Sequence, residues 1–483
     1  MADVDAETIP LCVDLDGTLV RTDMLHEALL LLAKSSPRSL PALPAWLLRG
    51  KAGFKHLVAE RVTIDPAALP YRATVLDMIA EARAAGRPVV LATAAPTRIA
   101  TAIADHLGLF DEVVSSDRET NLSADAKARA LVQRYGERGF DYVGNDHADL
   151  PVLARARRAF LISSSGRLRR AALARGHDAL TLLDDPRGGI RTWRKALRVH
   201  QWLKNLLVFV PIFAAHEASD SARLGAAIVA FLSFSLCASS VYFLNDLLDL
   251  SSDRVHHRKK ERPFASGASP VAAGIVAAPL LLAASLGLAL LLPRAFLGVL
   301  LLYCGLTSAY SFYLKRQVVV DVMLLASLYT IRIIAGSAAT LIRPSFWLLA
   351  LSMFTFLCLA MVKRYSELRI AVGSGQPLAG RGYMPADLPV VLALGVSSGI
   401  VSVLILAMYT QAAIVPEMYS APEWLWLAPP LMLYWITRLW MKAQRGEVDE
   451  DPVVFAMRDW QSLVILVLMG GAFALAASGW QPW

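Results

Sequence analysis

Asn245-Asp246-Leu247-Leu248-Asp249-Leu250-Ser251-Ser252-Asp253 closes an apolar segment that spans about 222–244. The spacings of three and four predict a helix with Asp246, Asp249 and Asp253 on one face. Three like charges beside hydrocarbon repel one another and are costly unless a cation lies between them. Mg2+ held by these carboxylates, with diphosphate oxygens completing its shell, answers that cost. The plainer alternative is a solvated helix end. Just downstream, His256-His257-Arg258-Lys259-Lys260-Glu261-Arg262-Pro263 supplies cations, which positive-inside topology and lipid head groups also explain.

The apolar texture continues on both sides. After about Gly188 nine apolar segments follow one another, near 203–217, 222–244, 272–292, 295–313, 318–341, 346–362, 387–412, 424–440 and 462–480. Each approaches the length that crosses about 30 Å of hydrocarbon. Loops on one side carry fifteen basic residues, including Arg254, Lys315, Arg369, Arg438 and Arg458; the opposite loops carry three, Arg223, Arg294 and Arg343. The rich side is expected in the cytoplasm. Nine spans then place the C-terminus outside. Residues 1–10 are acidic and polar, without the basic start of a secretory signal. The residues ahead of the first span are therefore expected on the cytoplasmic side of a bacterial inner membrane.

Composition agrees. The chain has 483 residues, 56% hydrophobic and 18% charged, which is too apolar for a wholly soluble or disordered protein. Its four cysteines have no metal spacing and do not make a disulfide scaffold. The net charge of +8 lies largely in membrane loops, with no groove-reading motif, so no nucleic-acid partner is expected. The fold expected is an N-terminal α/β Rossmann-like domain over 1–187, then an all-α polytopic membrane bundle of about nine helices over 188–483.

The N-terminal part has its own chemistry. A short apolar run, Leu11–Val13, leads into Asp14-Leu15-Asp16-Gly17-Thr18-Leu19. Asp14 and Asp16, two apart at a strand end, point the same way. Such a pair can bind Mg2+, with one carboxylate attacking phosphorus and the other moving protons. A second strand, Val89-Val90-Leu91-Ala92-Thr93, ends in a hydroxyl suited to phosphate. Lys127 opens an amphipathic helix and can neutralise charge there. A third strand, from Asp141, ends in Asn145-Asp146-His147-Ala148-Asp149, whose acids could complete a metal site.

This ordered set resembles the haloacid dehalogenase (HAD) superfamily of phosphohydrolases over roughly residues 9–185. The resemblance implies Asp14 as nucleophile, Asp16 as general acid/base, Thr93 and Lys127 on phosphate, and Asp149 supporting Mg2+. It also implies a helical cap at about 24–75. The family's last motif usually reads GDxxxD; here Asn145 takes the place of the first acid, and Asp146 could serve only with a shifted register. A degenerate domain kept for regulation or stability is the alternative to an active phosphatase.

From 193 to 483 the chain resembles the UbiA-type intramembrane prenyltransferase superfamily, whose first motif is NDxxDxxxD. The matching stretches include Gln201-Trp202-Leu203-Lys204-Asn205, Asn245 to Arg262, and Tyr310-Ser311-Phe312-Tyr313-Leu314-Lys315-Arg316. The second acidic motif of aromatic prenyltransferases is missing: Asp321 is present, but Gln317 and Leu325 stand four residues either side. The region is cationic instead, with Lys315, Arg316, Arg332 inside a span, and Lys363 and Arg364 beside Glu367. A buried Arg332 predicts a strong anionic partner. These stretches look like the decaprenyl-phosphate phosphoribosyltransferase branch, which Asp449-Glu450-Asp451-Pro452 also fits.

That resemblance implies transfer of 5-phosphoribosyl from phosphoribosyl diphosphate to a polyprenyl phosphate, for arabinan-type cell-envelope precursors. Asp246, Asp249 and Asp253 would hold Mg2+, with Asn245 orienting the first acid. Candidates for substrate contact are Lys204, His256, Lys259, Arg262, Tyr310, Lys315, Asp321, Arg332, Lys363, Arg364 and Glu367. One Mg2+ is expected in each domain, and membrane lipids and a second copy of the chain are further candidate partners. The HAD-like domain would remove the ribose 5-phosphate. Two other readings compete: an aromatic (4-hydroxybenzoate-like) polyprenyltransferase, and a non-catalytic lipid-binding scaffold.

Overall fold

The structure is a computed structural model that describes residues 9–163, 165–175, 177, 179–184, 188–372, 378, 381–448 and 451–480. Asp449 and Glu450 lie outside the described residues. By packing the chain forms two units: Met1–Arg198 with Tyr242–Leu280, and Val199–Val241 with Leu281–Trp483. The division differs from a boundary near 187, because the acidic stretch folds with the N-terminal part.

In the first unit β1 (Leu11–Val13) is followed by α1 (Met24–Ser35) and α2 (Gly50–Arg61), which pack through Ala28, Leu32, Phe54 and Val58. These are the helices expected of the cap. Then come α3 (Ala73–Ala84), β2 (Val89–Pro96), α4 (Thr97–Leu107), β3 (Glu112–Ser116), α5 (Asp125–Tyr135), β4 (Asp141–Gly144), β5 (Ala159–Ile162), α6 (Gly166–Leu173) and β6 (Leu180–Leu183). The strands form one sheet in the order β3-β2-β1-β4-β5-β6, and every pairing is parallel.

A parallel sheet covered on both faces needs apolar residues at both strand parities. Leu11, Val13, Val89, Leu91 and Val143 enter one core with α3 and α4. Cys12, Val90, Ala92 and Tyr142 enter the other with α5 and α6. The strand order reverses at β1, which lies between β2 and β4. The crevice beyond the carboxyl ends of such strands is where ligands bind in open α/β sheets.

Downstream are α7 (Ser221–Leu248), α8 (Leu250–Val255), α9 (Val271–Ala289), α10 (Arg294–Phe312), α11 (Val320–Thr340), α12 (Phe346–Val372), α13 (Leu388–Tyr409), α14 (Ala428–Arg445) and α15 (Trp460–Ser478). Among the described residues seven helices are long and apolar enough to cross a membrane; α8 and α14 are not among them. Of the nine expected segments, the first folds as the shorter Val199–Ala214. The eighth folds as α14, made amphipathic by Arg438 and Lys442.

Two serines inside the second unit satisfy each other locally, as hydrocarbon favours. Ser233 and Ser285 donate to each other's carbonyls at 2.9 and 2.7 Å. Gly395 lets α13 approach α14: a Cβ there would lie 2.3 Å from the Trp440 ring.

At the start of β4, Asp141 is fully buried and accepts from Arg87 Nη2 at 2.6 Å and from Arg157 Nε and Nη2 at 2.9 and 2.8 Å. Asp141→Ala strands two guanidiniums and is expected to destabilise the N-terminal domain by about 3 kcal/mol. The check is an earlier thermal unfolding transition of the purified full chain.

Candidate active site

The carboxyl ends of β1, β2 and β4 bring one set of expected residues together. Asp14 follows β1 directly, and its N–H donates to Val143 O at 3.0 Å. Its Oδ1 accepts from Lys127 Nζ at 2.7 Å and its Oδ2 from Thr18 Oγ1 at 3.1 Å. Thr18 Oγ1 also lies 3.1 Å from Asn145 Oδ1, so Asp14 and Asn145 face a common point. Gly17 makes this approach possible. Its φ is +73°, and a Cβ would lie 2.2 Å from Asn145 Nδ2.

Asp149 takes a supporting part. Its Oδ1 accepts from Tyr142 OH at 2.8 Å and Lys127 Nζ at 3.3 Å. Its Oδ2 accepts from the Asn145 and Asp146 N–H groups at 2.9 and 3.1 Å. Asp149 thus orients Lys127 and the loop. Asp146 is exposed and caps the turn His147–Asp149, so it is Asn145 that faces the first motif. Thr93 is buried, and its hydroxyl accepts from Ala95 N–H at 3.0 Å.

Asp16 Oδ1 accepts from Met24 N–H, the first residue of α1, at 2.7 Å. Asp16 also lines a cleft with Asp23, Leu25, Lys55 and Pro96. Lys55, from α2, donates to Ala94 O at 2.8 Å and Asn121 Oδ1 at 3.2 Å. Sequence reasoning missed Thr18, Lys55 and Tyr142; the ordinary strand alternation that aims Tyr142 gives no separate signal.

Burial raises the Asp16 carboxyl to about 7, helped by Asp23 and Asp14. Burial also raises Asp14, to about 6, although Lys127 pulls the other way. Burial acts to lower the Lys127 ammonium, but Asp14 and Asp149 outweigh it and raise it. Asp14, Asp16 and Asn145 offer only oxygen ligands, which fits a hard cation such as Mg2+. Among the described residues no three His, Cys, Asp or Glu side chains converge as a ready metal cluster.

The acidic stretch also lies in the first unit. The helix does not run through it: α7 ends at Leu248, and Asp249 occupies the break before α8. The single-face expectation therefore holds only for the outer pair. Asp246 Oδ1 and Asp253 Oδ2 both accept from Arg262 Nη1, at 3.0 and 2.6 Å. Asp246 Oδ1 also accepts from Arg198 Nη2 at 2.5 Å. Asp249 instead accepts from Lys34 Nζ of α1 at 2.7 Å. Burial raises the Asp253 carboxyl against the pull of Arg262. Asn245 is half-buried, whereas His256 and Lys259 are exposed, so only Arg262 of the three spaced cations turns inward. Arg198 and Lys34 carried no motif signal.

In the second unit Arg332 is buried and pairs with no carboxylate among the described residues. Its Nε donates to Asn205 Oδ1 at 2.8 Å and its Nη2 to Tyr303 OH at 3.3 Å, with Leu328 O a further acceptor. The guanidinium lies 5.2 and 5.4 Å from the Tyr303 and Tyr329 ring centres. An amide, a carbonyl, a phenol and two ring faces thus hold the cation without neutralising it. Lys363 is half-buried and has no hydrogen bond or ion pair among the described residues.

The remaining candidates are engaged with one another. Lys204 pairs with Asp451. Asp321, fully buried, pairs with Arg364 at 2.5 Å and accepts from Tyr383 OH at 2.7 Å. Arg364 pairs with Glu367, and Arg381 lies 3.5 Å from Asp321 and donates to Tyr310 OH at 3.0 Å. Two cations and two carboxylates balance in this cluster, a structural use of residues expected on substrate. Lys315 lies half-buried in the turn Leu314–Arg316.

Comparison with known proteins agrees with both halves. The model of the UbiA prenyltransferase family matches residues 206–463, and that of haloacid dehalogenase-like hydrolases matches 46–154. An uncharacterised Sinorhizobium fredii protein is 37% identical over 97% of this chain and 91% of its own length. The decaprenyl-phosphate phosphoribosyltransferase of Mycolicibacterium smegmatis is 40% identical over 38% of this chain and 58% of its own length. A solved UbiA homolog from Archaeoglobus fulgidus, bound to GPP and Mg2+, aligns with a TM-score of 0.46 at 17% identity, covering 59% of this chain and 99% of that one.

The raised carboxyls set a pH dependence. A buried acid whose folded value rises from 3.8 toward 7 favours the protonated fold, so metal-free stability falls as pH climbs through that window. Mg2+ binds the ionised form, so its stabilising effect is expected to grow from pH 5.5 to pH 7.5. Thermal unfolding of the purified chain with and without Mg2+ at both pH values checks this, with Asp14→Asn, whose carboxyl is raised to about 6, expected to flatten the difference.

Proposed function

Because the chain belongs to the UbiA prenyltransferase family and carries a haloacid dehalogenase-like domain as well, we propose that it transfers 5-phosphoribosyl from phosphoribosyl diphosphate to a polyprenyl phosphate and then removes the ribose 5-phosphate. The observation that carries the donor assignment is Arg332, a buried span arginine without a carboxylate partner among the described residues. An unneutralised cation at such a position favours an anionic ligand. A phosphate-rich sugar donor and a lipid phosphate supply that charge better than an aromatic acceptor does. The identity with decaprenyl-phosphate phosphoribosyltransferases supports the same donor.

In this reading Asp246 and Asp253 would hold a Mg2+ ion, and Asn245 would orient Asp246. When bound, the ion would supply charge stabilisation for the departing pyrophosphate. Arg262 leaves the carboxylates for a phosphate oxygen as donor binds. The C1–diphosphate bond breaks with its electron pair going to pyrophosphate, and a polyprenyl phosphate oxygen forms the new bond to C1. That oxygen is already anionic and needs no general base. Lys363 and Arg332 serve phosphate groups of the substrates.

The second step belongs to the N-terminal domain. Asp14 attacks the phosphorus of the 5-phosphate monoester, and Asp14 and Asn145 would hold the metal. Lys127 neutralises the gathering charge, and its bond to Asp149 keeps it aimed. Asp16, with its raised carboxyl, protonates the leaving ribose oxygen and then deprotonates the water that frees phosphate. Both steps are assigned to the cytoplasmic side, and the product is a polyprenylphosphoryl ribose.

Incubating purified protein with labelled phosphoribosyl diphosphate, Mg2+ and polyprenyl phosphates of several lengths is expected to yield lipid-extractable label. A result with label only from prenyl diphosphate and an aromatic acid overturns this reading. Asp246→Asn is expected to lower transfer about 100-fold through loss of metal stabilisation. Asp14→Asn is expected to leave transfer intact and to accumulate the 5-phosphorylated lipid, read by mass spectrometry.

A further inference from the structure

One helix touches both chemistries. The first residue of α1, Met24, donates its N–H to Asp16 Oδ1. One turn on, Glu27 accepts from Arg254 of α8: Oε1 from Nη2 at 2.6 Å and Oε2 from Nη1 at 3.2 Å. In the last turn Lys34 donates to Asp249 at 2.7 Å. Residues 27 and 34 are two turns apart and share a helix face. That face therefore grips the acidic stretch at two points.

The two contacts differ in kind. Lys34 and Asp249 are exposed, so solvent screens their pairing. Glu27 and Arg254 are buried, with side chains 6% and 7% exposed. Glu27 also accepts from Thr22 Oγ1 at 2.7 Å, which fixes its rotamer. Arg254 spends its remaining Nε on Ala265 O at 3.0 Å, which ties down the segment following Arg262. Nothing in the phosphatase or transferase chemistry requires Glu27, yet it is a buried carboxylate committed to the acidic stretch.

We propose that α1 is a strut by which the N-terminal domain sets the geometry of the diphosphate-binding acids, with Glu27 and Lys34 as positioning residues for transfer. Glu27 fixes α8, which carries Asp253, through Arg254. Lys34 draws Asp249 out of the pair formed by Asp246 and Asp253. The role in transfer rests on the reading of those acids given above; the docking of α1 on residues 249–262 does not.

The test uses the full chain in detergent, with Glu27→Gln, Arg254→Met, their double variant and Lys34→Met. Amide exchange of residues 249–262 is expected to quicken about tenfold in Glu27→Gln, while strand Val89–Pro96 keeps its protection. The double variant is expected to match the single ones, because each breaks the same contact. The KM for phosphoribosyl diphosphate is expected to rise about tenfold in Glu27→Gln with kcat within twofold. Lys34→Met is expected to shift the Mg2+ concentration that gives half-maximal transfer, and hydrolysis of p-nitrophenyl phosphate is expected to stay unchanged in both. Unaltered exchange in 249–262 overturns the strut. Faster exchange throughout the N-terminal domain, with kcat falling alongside folded protein, reduces Glu27 to a stability contact and overturns the positioning role. If the wild-type chain labels no lipid, the transferase reading and the role in transfer fall together, and exchange alone decides the docking.

Discussion

Two carboxylates that share one guanidinium nitrogen repel each other unless a cation stays between them. Asp246 and Asp253 are in that position, and Arg262 supplies the charge from sixteen and nine residues downstream. The same constraint recurs through the chain. Lys127 sits between Asp14 and Asp149. Asp141 takes two arginines, and the fully buried Asp321 pairs with the fully buried Arg364. Burying an ionised carboxylate without such a partner is costly, and the raised carboxyl of Asp16 reflects that cost. Arg332 and Lys363 depart from the rule among the described residues, which is why they bear on ligand charge.

The sheet order explains how distant motifs meet. β1 lies between β2 and β4, so residues following those three strands emerge at one edge although they are separated by about 130 positions. The helices inserted after β1 then begin beside Asp16 rather than elsewhere. A helix that starts at one carboxylate and ends at another carries position between them because its backbone hydrogen bonds make it stiff.

The acids Asp14 and Asp16 and the turn at Gly17 were legible because their chemistry is written in consecutive residues, whereas the part played by Thr18 was not. Thr93, Lys127 and Asn145 were legible through order and type. Tyr142 was not, because an aromatic residue on a strand reads as core until its hydroxyl is seen on Asp149. Asp149 was expected on metal, but its oxygens are taken by Lys127, Tyr142 and two backbone N–H groups. Asp249 defeated the helix-face argument because the helix breaks there, a feature to which spacing is blind. Arg332 meets an amide and aromatic faces rather than a carboxylate, which hold its guanidinium but leave its charge for a ligand.

By itself the sequence determined that an α/β phosphohydrolase-like part is joined to a membrane part with an acidic diphosphate-type motif. Periodicity, strand-end acids and apolar length are local properties, and local sequence is enough to set them. Only the tertiary structure decided which cation meets which carboxylate. It set Arg262 between Asp246 and Asp253, Lys34 on Asp249, and Glu27 on Arg254. Those pairings join residues up to 227 positions apart, and no periodic pattern reaches across such a separation. They follow from which surfaces remain once the apolar faces are buried, and that is known only when the whole chain has packed.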